Sequence, residues 1–131
     1  MIVDASALVA IVNQEPDARR YEDALGAADR PMVAAPTLLE TRMALTRLGA
    51  VGQAALARVL DTYEIGVLPF DDSHAERAHQ AHQLYGRGSG HRAKLNFGDC
   101  MAYAMASVER RPLLYKGDDF GHTDVRSALA T

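Results

Sequence analysis

The sequence predicts an α/β fold, a three-layer sandwich in which helices cover both faces of a short parallel sheet. Four short apolar runs alternate with segments whose apolar residues recur at helical spacing. Strands this apolar are typical of parallel sheets that are buried on both faces. The 131 residues are long enough to bury one core, and no linker or repeat divides them, so we expect a single domain covering residues 1–131.

The predicted strands cover residues 1–4, 32–35, 65–68 and 113–115. The first ends in Asp4, and the second is followed by Pro36, which suits the first turn of a helix. Pro69 closes the third strand and Pro112 introduces the fourth. Each strand therefore has a boundary that can be seen in the sequence.

Predicted helices fill the intervals: residues 7–13, 18–28, 36–48, 52–63, 71–85 and 98–110. Ser6 is a suitable N-cap for the first helix, and Gly49 is a suitable stop for the third. Residues 86–97 form one long loop that is rich in glycine and positive charge, and the segment after Phe120 is not assigned.

Composition limits the class of protein. The net charge of −3 argues against a general nucleic-acid coat, yet it is compatible with a nuclease whose acidic site holds cations. The one cysteine, Cys100, excludes an internal disulfide and lies in an apolar stretch typical of a buried thiol. With no apolar run of roughly 18 residues and no secretory signal, we expect a cytoplasmic protein without a membrane partner.

Acidic residues occur where the predicted strands end or the next helices begin: Asp4, Glu40, Asp99, Asp118 and Asp119. In a parallel sheet these positions lie along the same edge. Gathering like charges is costly unless a cation compensates them, and carboxylate oxygens favour Mg²⁺ or Mn²⁺. The pattern therefore predicts a divalent-metal site that can activate water against a phosphodiester.

Each acid also has a structural interpretation. Thr37 and Glu40 match a capping box, Asn96 can cap a helix together with Asp99, and the helix dipole favours acids at N-termini in any protein. Asp4 is harder to explain in this way, because a charge that closes a buried strand needs a partner. The joint pattern favours the functional interpretation.

Four stretches carry a family resemblance: residues 1–8 (MIVDASAL), Glu40 in its helix, residues 95–100 (LNFGDC) and residues 113–120 (LLYKGDDF) with Thr123-Asp124 beyond. Together they resemble the PIN-domain ribonucleases, and among these the VapC-type toxins of type II toxin–antitoxin systems. The resemblance extends over nearly the whole chain and implies a PIN-like fold.

The resemblance also implies site residues. Asp4, Glu40 and Asp99 match the acidic triad of the family, and Asp119 is favoured over its neighbour Asp118 as the fourth acid. Asp4 and Asp99 are expected to bind the metal, Mg²⁺ or alternatively Mn²⁺. Ser6 matches the family's small hydroxyl residue, and it is expected with Asn96 to orient the carboxylates through hydrogen bonds.

The activity that the resemblance implies is metal-dependent cleavage inside structured RNA, typically transfer or ribosomal RNA. The implied partners are the RNA substrate, a second copy of the chain in a homodimer, and a VapB-type antitoxin whose C-terminal segment blocks the acidic groove. The RNA, its cleavage site, the cognate antitoxin and the number of metal ions stay open.

The loop at residues 86–97 contributes basic side chains just before Asp99. We expect Arg87, Arg92 and Lys94 to contact RNA phosphates, and the alternative is a flexible solvated loop. Its glycines do not indicate a nucleotide-binding fingerprint, because the loop follows a helix and not a strand.

Two other functions are alternatives to the nuclease. A non-catalytic RNA-binding regulator on the same fold is disfavoured by the complete acidic set. A phosphoaspartyl enzyme with Asp4 as nucleophile would need a second Asp at the position of Ser6. A zinc site built from His74, His79 and His82 is disfavoured because no thiolate is near them in the sequence.

Overall fold

The computed structural model describes residues 1–129 and confirms the α/β class. Its strands are β1 (Ile2–Val3), β2 (Met32–Ala34), β3 (Gly66–Leu68) and β4 (Leu113–Leu114), all parallel, in the spatial order β3-β2-β1-β4. Ile2 pairs with Met32 on one side and with Leu113 on the other. All four predicted strands are present, and each is shorter than predicted.

The helices are α1 (Ala5–Val12), α2 (Ala18–Ala27), α3 (Ala35–Ala44), α4 (Gly49–Thr62), α5 (Asp72–Tyr85) and α6 (Phe97–Glu109), with 3₁₀ turns at Thr46–Leu48 and Phe120–His122. Within residues 1–129, each helix is too short or too polar to cross a lipid bilayer.

Alternate strand residues point to opposite faces of the sheet and form two cores. Ile2 and Leu113 pack with side chains of α5 and α6. Val3 and Leu114 pack with side chains of α1, α2 and α4. All four are fully buried, which contributes roughly 1.5–3 kcal/mol for each side chain. The sheet is therefore a rigid platform whose carboxyl edge is fixed from both sides.

Three predicted helix boundaries are wrong. The first helix begins at Ala5, because Asp4 and not Ser6 is its N-cap: the Asp4 carboxylate accepts the Ser6 N–H. The helix predicted over residues 36–48 ends at Ala44 and is followed by a 3₁₀ turn. Gly49, with a φ of +60°, follows that turn as the first residue of α4, which begins three residues earlier than predicted.

The two predicted helix-capping pairs have opposite outcomes. Thr37 and Glu40 do not form a capping box, because α3 starts directly after β2 with Ala34 as its N-cap, and Thr37 is buried inside the helix. Asn96 and Asp99 do form one at the start of α6. Glu40 is therefore not used to close its own helix.

The loop before α6 is anchored at its base. Arg87 N–H donates to the Leu95 carbonyl, Leu95 N–H donates to the Tyr85 carbonyl, and Leu95 is fully buried. The imidazole of His91 packs edge-on against the Tyr85 ring at 4.9 Å between centroids. The segment is thus held against the body of the protein, with its charged side chains outside.

Candidate active site

Three acids from separate parts of the chain line one cavity at the carboxyl edge of the sheet. Asp4 follows β1, Glu40 lies on α3, and Asp99 lies in the first turn of α6. The cavity has a volume of about 360 Å³, and Ser6 and Lys116 also line it. The predicted convergence of the three acids is therefore present in the structure.

Asp4 is almost completely buried, with 4% of its surface exposed. Its Oδ2 accepts the Ser6 N–H at 3.1 Å and the Ser6 hydroxyl at 2.6 Å, and no hydrogen bond from residues 1–129 reaches Oδ1. Burial raises the pKa of Asp4 above its ordinary value, and the bonds from Ser6 oppose that rise. One carboxylate oxygen is thus fixed and the other is available.

Glu40 lies against the backbone of Gly98. A methyl group at Gly98 would lie 2.7 Å from the Glu40 carboxyl carbon, so the approach requires a residue without a Cβ. Within residues 1–129, no hydrogen bond satisfies the Glu40 carboxylate. Burial raises its pKa to about 7, with further contributions from the negative charges of Asp4 and Asp99.

Asp99 is held by the capping box of α6. Its Oδ2 accepts the Asn96 N–H at 3.0 Å, and its own N–H donates to the Asn96 Oδ1 at 2.8 Å. Burial raises the pKa of Asp99 to about 6; the bond from Asn96 and the charge of Arg87 oppose this, while Asp4 and Asp119 add to it. Asn96 therefore orients Asp99 and leaves its Oδ1 free.

The two adjacent aspartates after β4 lie outside the lining of the cavity. Both are exposed. The negative charge of Asp119 is among those that raise the pKa of Asp99. Asp119 also precedes the 3₁₀ turn whose Phe120 is buried, so its position is fixed by the core.

The donor set suits a hard divalent cation. Asp4 and Asp99 each present one carboxylate oxygen that the chain does not use, and the Glu40 carboxylate has no hydrogen-bond donor within residues 1–129. The side chains of residues 1–129 do not form a closed group of three or more His, Cys, Asp or Glu ligands. Burial is the main cause of the raised pKa values of Glu40 and Asp99, the negative charges of neighbouring acids add to it, and a bound cation would offset both effects.

Sequence reasoning missed a cationic group at the rim of the cavity. The Lys116 ammonium forms ion pairs with Glu15 at 2.5 Å and with Asp17 at 2.9 Å, and the Lys116 N–H donates to Ser6 Oγ at 2.9 Å. Glu15 also lines the cavity. The available signal was the position of Lys116 directly after β4, on the same sheet edge as the acids.

The basic residues of the loop are not gathered around the acids. Arg87 is close enough to lower the pKa of Asp99, and it lines the mouth of a neighbouring cavity. Arg92 and Lys94 are exposed, and neither lines the acidic cavity. Only the first of the three predicted RNA contacts thus lies near the acids.

An apolar surface adjoins the acidic cavity. Phe97 is 82% exposed, and it lies between a cavity of about 740 Å³ and another of about 670 Å³. Glu40 lines the second of these as well as the acidic cavity. Leu39 and Met43 on α3 are 58% and 65% exposed, and both line the cavity of about 670 Å³.

The positions of the histidines on α5 and of Cys100 on α6 differ from those expected of a metal site or of a catalytic nucleophile. His74 is buried, and its Nδ1 accepts the Asp71 N–H at 3.0 Å, which makes it a helix-capping residue. His79 and His82 line the larger apolar cavity. Cys100 is buried, as predicted, and burial raises the pKa of its thiol.

The chain matches known proteins over nearly its full length. The PIN domain model matches residues 1–126. Ribonuclease VapC28 of Mycobacterium tuberculosis is 46% identical over 130 residues, and ribonuclease VapC42 of the same species is 45% identical over 129; each match covers 98% of both chains. Among solved structures, M. tuberculosis VapC20, described as a sarcin-ricin loop cleaving toxin, has a TM-score of 0.75 at 19% identity and covers 98% of both chains. A toxin–antitoxin complex from Klebsiella pneumoniae has a TM-score of 0.69 at 18% identity, covering 99% of this chain and 95% of that one.

Proposed function

Because the chain belongs to the PIN-domain family, we propose that it is a divalent-metal-dependent endoribonuclease and the toxin of a toxin–antitoxin pair. The observation that supports this most is the joint position of Asp4, Glu40 and Asp99 around one cavity, each with an elevated pKa. Acids that repel one another in this way gain most from a bound cation.

We assign the metal to Asp4 and Asp99, whose free oxygens come from two rigid elements, with Glu40 and Asp119 completing the site directly or through water. Mg²⁺ is the proposed metal and Mn²⁺ the alternative. A cation bound there lowers the pKa of a bound water and screens the charge of the phosphodiester. Ser6 and Asn96 hold the two ligands in orientation through their hydrogen bonds.

The proposed substrate is structured RNA, transfer or ribosomal, cleaved in the cytoplasm by residues 1–131 acting as one domain. Relatives support a ribonuclease, and VapC20 is described as cleaving the sarcin-ricin loop. Arg87, Arg92 and Lys94 are proposed to contact RNA phosphates, with Arg87 nearest to the acids. Replacing all three with Ala is expected to reduce the salt dependence of RNA binding; an unchanged salt slope would contradict that contact.

The apolar surface around Phe97 is the proposed docking site of a VapB-type antitoxin. An exposed patch of this kind is typical of a protein interface. Since Glu40 lines both this surface and the acidic cavity, an antitoxin segment with apolar side chains and one basic side chain fits both. Leu39, Met43 and Val51, all exposed, are the proposed contacts of a homodimer; Leu39 and Met43 also line the cavity of about 670 Å³ beside Phe97, so the proposed dimer contact adjoins the proposed antitoxin site. Met43→Glu is expected to yield a monomer in light scattering.

The deciding experiment for the activity incubates labelled transfer and ribosomal RNA with the purified protein in Mg²⁺ and then in EDTA. We expect discrete internal cleavage in Mg²⁺ alone, and its loss in Asp4→Asn and Asp99→Asn. Asp61→Asn, which changes an exposed acid on α4, is the matched control. RNA binding without cleavage would favour the non-catalytic regulator, and cleavage by Asp4→Asn would contradict the site assignment.

A further inference from the structure

A group of arginines lies at the end of the sheet opposite the acids. Arg110 and Arg111 precede β4, and Arg126 pairs with the start of β4 through its carbonyl, which accepts the Leu113 N–H. The three line one cleft of about 190 Å³, together with Tyr103, Ser107 and Asp124. We call this group the arginine cleft. It concentrates positive charge in a chain whose net charge is −3.

Residues 1–129 leave most of the positive charge of the arginine cleft unpaired. Within residues 1–129, no ion pair or side-chain hydrogen bond engages Arg110 or Arg126, and Arg111 donates only to the Arg30 carbonyl at 3.2 Å. Asp124 is the one acid in the cleft, and it accepts the hydroxyl of Tyr103. The cleft is therefore lined by three arginines and by one carboxylate, that of Asp124, which already accepts a hydrogen bond from Tyr103.

The back of the cleft is held in place by a further arginine. Arg77 donates to Ser107 Oγ at 2.8 Å and to the Tyr103 hydroxyl at 3.1 Å, and its guanidinium lies 5.4 Å from the centre of the Tyr103 ring. Tyr103 is almost fully buried and belongs to the core beneath α5 and α6. These contacts hold in place the side of the cleft formed by Tyr103 and Ser107, which Arg110 and Arg126 also line.

We propose that the arginine cleft is a second contact site for substrate RNA and binds a backbone phosphate. Guanidinium groups bind phosphate oxygens through paired hydrogen bonds, and the small polar cleft suits one such group. Asp99 and Arg110 lie at opposite ends of α6, about 16 Å apart along a helix with a rise of 1.5 Å per residue. A structured RNA spans both sites, and a short oligonucleotide in the acidic cavity does not. The proposal rests on the proposed ribonuclease function.

The test is a comparison of Arg110→Gln/Arg126→Gln with the control Arg20→Gln/Arg58→Gln, which removes the same charge from exposed positions on α2 and α4. Fluorescence anisotropy measures binding of labelled transfer RNA in EDTA across a salt series. We expect the slope of log affinity against log salt to fall by about 1, the value for one lost phosphate contact, in the cleft variant and to remain unchanged in the control. Equal slopes in the two variants would overturn the proposal.

Cleavage kinetics in Mg²⁺ separate this role from a structural one. In the cleft variant, we expect the KM for transfer RNA to rise roughly tenfold with kcat unchanged, and a short single-stranded oligonucleotide to be cleaved as by the wild type. A loss that is equal for both substrates would overturn the proposal, because it would indicate damage to the fold or the acidic site. If the wild type cleaves neither substrate, the proposed function itself is contradicted, whatever the arginine variants do.

Discussion

The hydroxyl of Ser6 donates to Oδ2 of Asp4 at 2.6 Å, and the Ser6 oxygen joins the ends of two neighbouring strands, β1 and β4. Ser6 Oγ also accepts the N–H of Lys116 at 2.9 Å. Because a hydroxyl has a single proton, the bond from Lys116 leaves that proton for Asp4. The end of β4 thereby fixes the orientation of the carboxylate that follows β1.

Ser6→Ala is expected to weaken divalent-metal binding by roughly 10- to 100-fold, the usual cost of losing a partner that orients a metal ligand. The variant removes one of the two bonds to Asp4 Oδ2 and retains the backbone one. Titration with Mn²⁺, followed by electron paramagnetic resonance, measures the effect without cleavage. Ser73→Ala, which removes an exposed hydroxyl far along the chain, is the control. Unchanged Mn²⁺ affinity in Ser6→Ala would contradict the orienting role.

Gly98→Ala is expected to reduce activity and metal affinity at least tenfold while the protein stays folded. The added methyl group would overlap the Glu40 carboxylate, so Glu40 must leave its place beside Asp4 and Asp99. Gly26→Ala is the matched control, since its methyl group would meet only Tyr63 Cε1 at 4.0 Å. Cleavage rates and thermal melts of both variants are compared. A fully active Gly98→Ala protein would show that the position of Glu40 is not required.

The stability of the metal-free protein should fall as the pH rises from about 4.5 to about 7. The pKa is raised to about 7 for Glu40 and to about 6 for Asp99, so the folded protein binds more protons than the unfolded chain in this range. We expect a loss on the order of 1–2 kcal/mol after solvent screening. Thermal melts in EDTA across this range measure it. Mn²⁺ should stabilise the protein more at pH 8 than at pH 5.5, because protonated carboxylates do not bind the cation.

Asp119→Asn is expected to lower the pKa of Asp99, because it removes a nearby like charge, and to reduce cleavage roughly tenfold or more. Asp118→Asn is the internal control, with the same change of charge one residue away. Carboxyl-carbon NMR titration follows Asp99 directly, and cleavage assays follow the activity. If Asp118→Asn were the more damaging variant, the assignment of the fourth acid would be reversed.

The acidic edge could be predicted because its determinants are local. Each strand ends where an apolar run meets a charge or a proline, and parallel topology then places the ends together. Asp4, Glu40 and Asp99 therefore meet without any knowledge of side-chain contacts. The same holds for the cap of α6 by Asn96, which depends on residues only three positions apart.

What the sequence did not predict depends on tertiary contacts or on small differences in backbone direction. Thr37 matches a capping motif, but the end of β2 places the start of α3 before it. Asp118 and Asp119 follow the same strand, and which of them faces Asp99 depends on the turn at Gly117, where φ is +103°. The contact of Lys116 with Glu15 joins residues 101 positions apart, and no local pattern indicates it.

The ion pairs of Lys116 give a final prediction. Its ammonium lies between Glu15 and Asp17 and ties the turn before α2 to the end of β4, while its backbone N–H donates to Ser6 Oγ. Lys116→Met retains that backbone bond but removes both ion pairs, so the end of β4 that orients Ser6 is held less firmly. We therefore expect Mn²⁺ affinity and kcat to fall, with only a small change in Tm, because the partners are partly exposed.

A double-mutant cycle distinguishes the structural role of the two ion pairs of Lys116, which we call the brace, from a direct contact between the ammonium and RNA. If the brace is what matters, Asp17→Asn reproduces part of the loss, and adding it to Lys116→Met costs little more. If the ammonium contacts the RNA phosphate, Lys116→Met raises KM, Mn²⁺ affinity is unchanged, and Asp17→Asn leaves RNA binding intact or improved. Mn²⁺ affinity is the deciding measurement, since a fall can come only from the loss of the brace: the loss of a positive charge by itself favours cation binding.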